Sequence, residues 1–148
     1  MEQLTQEQRT VLLDRAVEAM RAWLTVGSDT DPVQVDRLRQ VASMSVTDAV
    51  TRGGYLHTQI THLVGCSGLR LIELIADPSA QAHALSVEHN AAKNYLALVE
   101  EKRREHAVRR VGANGGRGKT RVGEELGVSR QAVTNWWNDA VAASQQIP

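Results

Sequence analysis

Apolar residues recur along most of this 148-residue chain at spacings of three and four, the period of helices that bury one face. Thr5 followed by Gln8 has the form of a capping box, and Leu13, Val17, Met20 and Trp23/Leu24 continue from it at helical spacing. A first helix is therefore expected to stop near Gly27. Asp31-Pro32 joins a cap to a proline suited to a first helical turn, and Val35, Leu38, Val41/Ala42, Ser45 and Ala49 mark one face of a second helix, up to Gly53-Gly54. Two shorter segments follow, Tyr55–Val64 and Leu69–Ala76, separated by Gly65-Cys66-Ser67-Gly68 and closed by Asp77-Pro78. From Pro78 to about Val111 no breaker intervenes and Ala, Leu, Glu, Lys and Arg dominate, which predicts one helix of some 30 residues, roughly 45–50 Å long. The glycine-rich Ala113–Gly118 ends it, ahead of a last helical pair, Lys119–Leu126 and Ser129–Ala143.

Composition agrees with an all-α fold. Hydrophobic residues make up 42% of the chain, but Phe is absent and aromatics are 3%, which favours many small contacts between helices over an aromatic core. The expected organisation is an N-terminal helical unit, 1–77, a long connecting helix, 78–112, and a C-terminal unit, 113–148. The longest apolar runs are a few residues, so neither a membrane span nor a secretory signal is expected, and a cytoplasmic protein is. The single cysteine, Cys66, has no disulfide partner and belongs to no Cys/His cluster, and reads as a small buried apolar residue. The histidines at 57, 62, 83, 89 and 106 show no i,i+4 pairing. No metal, cofactor or catalytic constellation is expected, and the chain does not read as an enzyme.

The formal net charge of zero hides an asymmetry: residues 1–100 carry eight Lys/Arg against twelve Asp/Glu, and residues 101–148 nine against five. Lys102, Arg103, Arg104, Arg109, Arg110, Arg117, Lys119 and Arg121 stand against Glu105 alone. Such a cluster suits an approach to phosphates, or equally a solvated helical face.

In KTRVGEELGVSRQAVTNWWN, Lys119–Asn138, Gly123 is small where two helices would cross and Gly127 sits where a turn wants positive φ. Val122, Leu126, Val128, Val133 and Trp136 take inward positions, to be buried against the basic end of the long helix. The spacing resembles the twenty-residue mask of bacterial and phage helix-turn-helix repressors at each position that mask constrains. The resemblance implies double-stranded DNA binding, with the second helix of the pair in the major groove. Its outward positions, Ser129 (also the N-cap candidate), Arg130, Gln131, Thr134, Asn135 and Asn138, all hydrogen-bond. Arg suits the O6/N7 edge of guanine, and Gln or Asn the N6/N7 edge of adenine. Arg117, Lys119, Thr120 and Arg121, at the start of the first helix, are the expected phosphate contacts.

HTQITHLVGCSGLRLIELIA, residues 57–76, fits the same mask, with Ile60, Val64, Cys66, Leu71 and Leu74 inward, Thr61 at the crossing and Gly65 in the turn. Its outward positions are chemically poor: Ser67, Gly68, Leu69, Ile72, Glu73 and Ala76 set apolar groups and a carboxylate where base or phosphate contacts belong. Two readings stand, a degenerate copy whose Leu69 and Ile72 pack against the first helix or a second subunit, and a second DNA reader led by Arg70. Packing is favoured.

Ala113–Thr120 also matches a loose phosphate-loop pattern, but a charged helical segment precedes it where a buried strand is needed. Trp137 has no assigned inward place and could pack, meet another subunit or touch the sugar-phosphate edge. The expected function is sequence-specific DNA binding as a nucleoid-associated transcription regulator of the repressor type. It would act as a homodimer through the N-terminal unit or the long helix. A DNA-architectural or recombination accessory role and a helical adaptor or antitoxin-like partner are the alternatives.

Overall fold

The computed structural model describes residues 3–146, and every regular element among them is helical. The seven helices are α1 (Gln6–Leu24), α2 (Pro32–Thr51), α3 (His57–Val64), α4 (Gly68–Ile72), α5 (Pro78–Ala113), α6 (Lys119–Leu126) and α7 (Arg130–Gln145). No helix among the described residues is long and apolar enough to cross a membrane. Two compact units divide the chain, Met1–Asn90 and Ala91–Pro148, with the boundary inside α5.

In the first unit the caps lie where local chemistry puts them. Thr5 accepts from Gln8 N while the Gln8 side chain accepts from Thr5 N, and Asp31 accepts from Val33 N ahead of Pro32. Helices α1 and α2 form an antiparallel hairpin whose small residues, Ala16, Ala42 and Ala49, are wholly buried beside Met20 and Val46. Ile60, Leu71, Ile72, Leu74, Ile75 and Ala84 complete this core. The buried face differs from the expected one by a small rotation. In α1, Leu12 and Ala16 are buried and Leu13 is half-buried. In α2, Val46 is buried while Val41 is 52% exposed. Apolar residues adjoin the stripe on both helices, so the partner's position, which periodicity does not encode, selects its centre.

Long-range hydrogen bonds tie these helices to backbone. Arg9 Nε donates to Gly53 O at 2.7 Å and Arg21 Nη2 to Leu63 O at 2.9 Å. The Ser43 hydroxyl donates to Leu74 O at 2.6 Å, and Thr47 Oγ1 accepts from Ala76 N at 3.0 Å.

The second unit is three-helical. Ala107 and Val111 from α5, Val122 from α6 and Val133 from α7 are buried together, with Leu126, Val128, Trp136 and Trp137 packed around them. A core this small depends on tight approach. Gly123 supplies it: a Cβ there would lie 2.8 Å from Val128 O.

Candidate nucleic-acid interface

Helices α6 and α7 are joined by Gly127, Val128 and Ser129. Gly127 has φ +68°, the left-handed conformation that glycine adopts without a Cβ penalty, and it caps the C-terminus of α6. Val128 N donates to Gly123 O at 2.9 Å, locking the turn onto α6. Ser129 then caps α7, its Oγ accepting from Ala132 N at 3.1 Å. The apolar set expected inward lies in the core cluster, and the supporting helix is the C-terminal part of α5.

Because Val133 and Trp136 turn inward, the opposite arc of α7 carries Arg130, Gln131, Asn135 and Asn138 in solvent. Thr134 is half-buried and its hydroxyl donates to Arg130 O at 2.9 Å, so within the arc it is the most committed to its own helix. Gln131 Nε2 donates to Asn135 Oδ1 at 2.9 Å. This i,i+4 bond fixes both amides and leaves an acceptor on Gln131 and a donor on Asn135 directed outward. Ser129 is exposed, with its oxygen engaged in the cap.

At the start of α6 the four phosphate candidates have different surroundings. Gly118 occupies the N-cap position with φ +79° and offers no side chain, so the first N–H groups of α6 have no cap partner. Arg117 and Thr120 are exposed. Lys119 is half-buried and its Nζ donates to Gly116 O at 2.8 Å, clasping the glycine segment. Arg121 Nε donates to Glu125 Oε1 at 3.2 Å. Glu125 also accepts from Arg110 at 2.6 Å. The Arg110 hydrogen bond is the main cause holding the Glu125 carboxyl below its ordinary pKa, with Arg121 adding to it.

Much of the basic cluster is therefore already engaged by groups of the chain itself. Arg103 donates to Leu126 O at 2.8 Å, satisfying a carbonyl at the end of α6, and pairs with Glu100. Arg104 reaches Asp139 at 3.3 Å, and Lys102 reaches Glu105 at 3.1 Å. Sequence reasoning missed the Arg110–Glu125–Arg121 network because Arg110 comes from α5 and the other two from α6. The only signal available was the i,i+4 spacing of Arg121 and Glu125. Trp137 packs over Gly112 and Gly116, where a Cβ on Gly112 would stand 3.3 Å from its ring. The glycine segment follows a helix, not a strand, and Gly115, Gly116 and Gly118 all have positive φ.

The 57–76 segment keeps the scaffold of the mask without its reading face. Gly65 caps α3 at φ +78° and Ser67 caps α4 by accepting from Arg70 N at 3.3 Å. Helix α4 lasts only five residues, after which Leu74 N and Ile75 N turn back to the Leu71 and Ile72 carbonyls at 3.0 Å. Ile72, one of the outward positions of the mask, is 2% exposed and lies in the core cluster with Leu12, Ala16 and Met20 of α1, so it packs inside its own unit and is closed to DNA or a second subunit. Arg70 stacks over Trp23 at 5.0 Å, leaving Leu69, 61% exposed, and Glu73 as the exposed members of that set with no such partner. The start of α4 is also covered: a Cβ on Gly68 would meet Glu88 Oε1 at 1.9 Å, and this carboxylate bonds buried His57 Nε2 at 2.8 Å. A carboxylate at that helix start repels phosphate.

No cluster of three or more His, Cys, Asp or Glu suited to a metal ion occurs among the described residues. No family model, curated protein or solved structure matches the chain.

Proposed function

We propose that this chain binds double-stranded DNA sequence-specifically by inserting the N-terminal part of α7 into the major groove, as a transcription regulator of the repressor type. The observation that carries this reading is the polar arc of α7, Arg130, Gln131, Asn135 and Asn138, exposed on the second helix of a pair braced by a third. These side chains have the donors and acceptors that guanine and adenine edges require. Arg117, Thr120 and the uncapped N–H groups of α6 lie at the other end of the pair's first helix, suited to phosphate. Arg121 joins them by exchanging Glu125 for a phosphate oxygen, and Lys119 supports them by holding the glycine segment. The 57–76 segment serves the fold of its own unit.

The test is selection of preferred sites from random duplexes, followed by binding measured over a range of salt. Arg130→Ala should relax preference at one base pair, by about 5- to 100-fold in discrimination. Arg117→Ala should weaken all sequences alike and lower the salt slope by about one. Lys119→Ala should also weaken all sequences alike. If no site is enriched, or if Arg130→Ala leaves discrimination intact, the reading fails.

A further inference from the structure

We infer that α5 carries a self-association surface, residues 91–100, which pairs antiparallel with the same segment of a second copy of this chain. Ala91–Leu98 are eight consecutive exposed residues of a helix. Helix in water gains most of its stability from packing an apolar face, and here that face is well formed but uncovered. Ala92, Tyr95, Leu96 and Val99 follow one another at spacings of three, one and three, with Ala91 and Leu98 beside them. Tyr95, Leu96 and Leu98 are 67%, 63% and 51% exposed, a concentration of large apolar side chains beyond the scattered ones normal on a surface.

Charge selects both the occupant and its direction. Lys93 and Glu100 lie seven residues apart, so they share one flank of the stripe two turns from each other. A twofold axis between Leu96 and Ala97 sets Lys93 against Glu100 of the second copy at both ends of the seam. The same axis lays Tyr95 over Leu98 of the second copy. In a parallel pair each flank would face the opposite flank of the second copy, so Lys93 and Glu100 would lie across from its Ala91 and Leu98 side and gain no opposite charge. Glu100 uses one oxygen on Arg103 of its own chain and keeps the other for this contact. Ala92, in the middle of the stripe, lets the helices approach closely. The surface is thus complementary to itself, as a twofold interface must be.

This inference stands apart from DNA binding and is measured without DNA. Sedimentation of the full chain, from about 1 to roughly 100 µM, should show a reversible rise from the mass of one chain to that of two. Leu96→Glu should abolish the rise. Lys93→Glu should raise the dissociation constant about tenfold by opposing two carboxylates at each end, and the double variant K93E/E100K should restore it. Circular dichroism confirms that each variant remains helical. A chain that stays monomeric throughout overturns the inference, as does association that Leu96→Glu leaves intact. Loss in Lys93→Glu that the double variant does not recover overturns the antiparallel pairing.

Discussion

Replacing Gly123 by alanine tests whether α6 and the turn that follows it stand as close as a three-helix unit with four buried core residues requires. Helix propensity alone favours alanine in a helix by about 1 kcal/mol. Against this, the new Cβ would lie 2.8 Å from Val128 O and 3.4 Å from Ser129 C, both backbone atoms that no rotamer change can move. Restoring an ordinary contact requires the turn to retreat by several tenths of an ångström. The Val128 N to Gly123 O hydrogen bond, 2.9 Å long, would stretch accordingly. Losing much of that bond costs about 1 kcal/mol, and overpacking a tight crossing adds about 1–3 kcal/mol. The net expectation is destabilisation by about 1–3 kcal/mol, or a melting temperature lowered by about 5–15 °C in a small domain. Thermal unfolding followed by tryptophan fluorescence in a Trp23→Phe background, where Trp136 and Trp137 alone report, measures it. A variant as stable as the parent, or more so, would mean that propensity alone acts at position 123 and would refute the close crossing.

Gly127→Ala should cost less, about 1–2 kcal/mol, because its φ of +68° is strained for alanine while nothing lies within 4 Å of the new Cβ; the same melting experiment separates the two glycines. Glu125 has its folded pKa depressed, so its contribution is present above the unfolded value of 4.5 and disappears as pH falls through the folded value. Arg110→Gln should move the Glu125 titration, followed by NMR, back up towards 4.5, and an unchanged titration would remove Arg110 as the cause. Burial pushes the Cys66 thiol above its ordinary value and Arg70 partly opposes that shift, so a disulfide reagent at neutral pH should react more slowly than with free cysteine, and more slowly still in Arg70→Ala. Cys66, expected to be buried, is only half-buried, and a rate equal to that of free cysteine would contradict even this partial cover.

Features set by neighbours in sequence were legible from residues alone. The Thr5–Gln8 box, the Asp31-Pro32 start, the Ser129 cap and the left-handed Gly127 each depend on atoms within a few positions, and each is where local chemistry predicts. The inward set of α6 and α7 was equally readable, since two short helices joined by a tight turn have little freedom in how they face each other. Contacts between distant residues were not. Nothing local reveals that Glu88 would cover Gly68 and hold His57, that Arg110 would meet Glu125, or that Arg103 would close α6 at Leu126. The basic cluster therefore read equally as an approach to phosphates or as a solvated face, and only packing showed how much of it pairs with groups of the chain itself.

The sequence by itself determined the all-α class, the caps and turns, and the polar arc of α7, because helical periodicity and capping act over one or two turns. The tertiary structure decided which side of α2 is buried, that α4 stops after five residues with Ile72 in the core, and which arginines are already paired. Each of these depends on where another helix lies, and that position comes from the summed packing of the chain, which no local window contains.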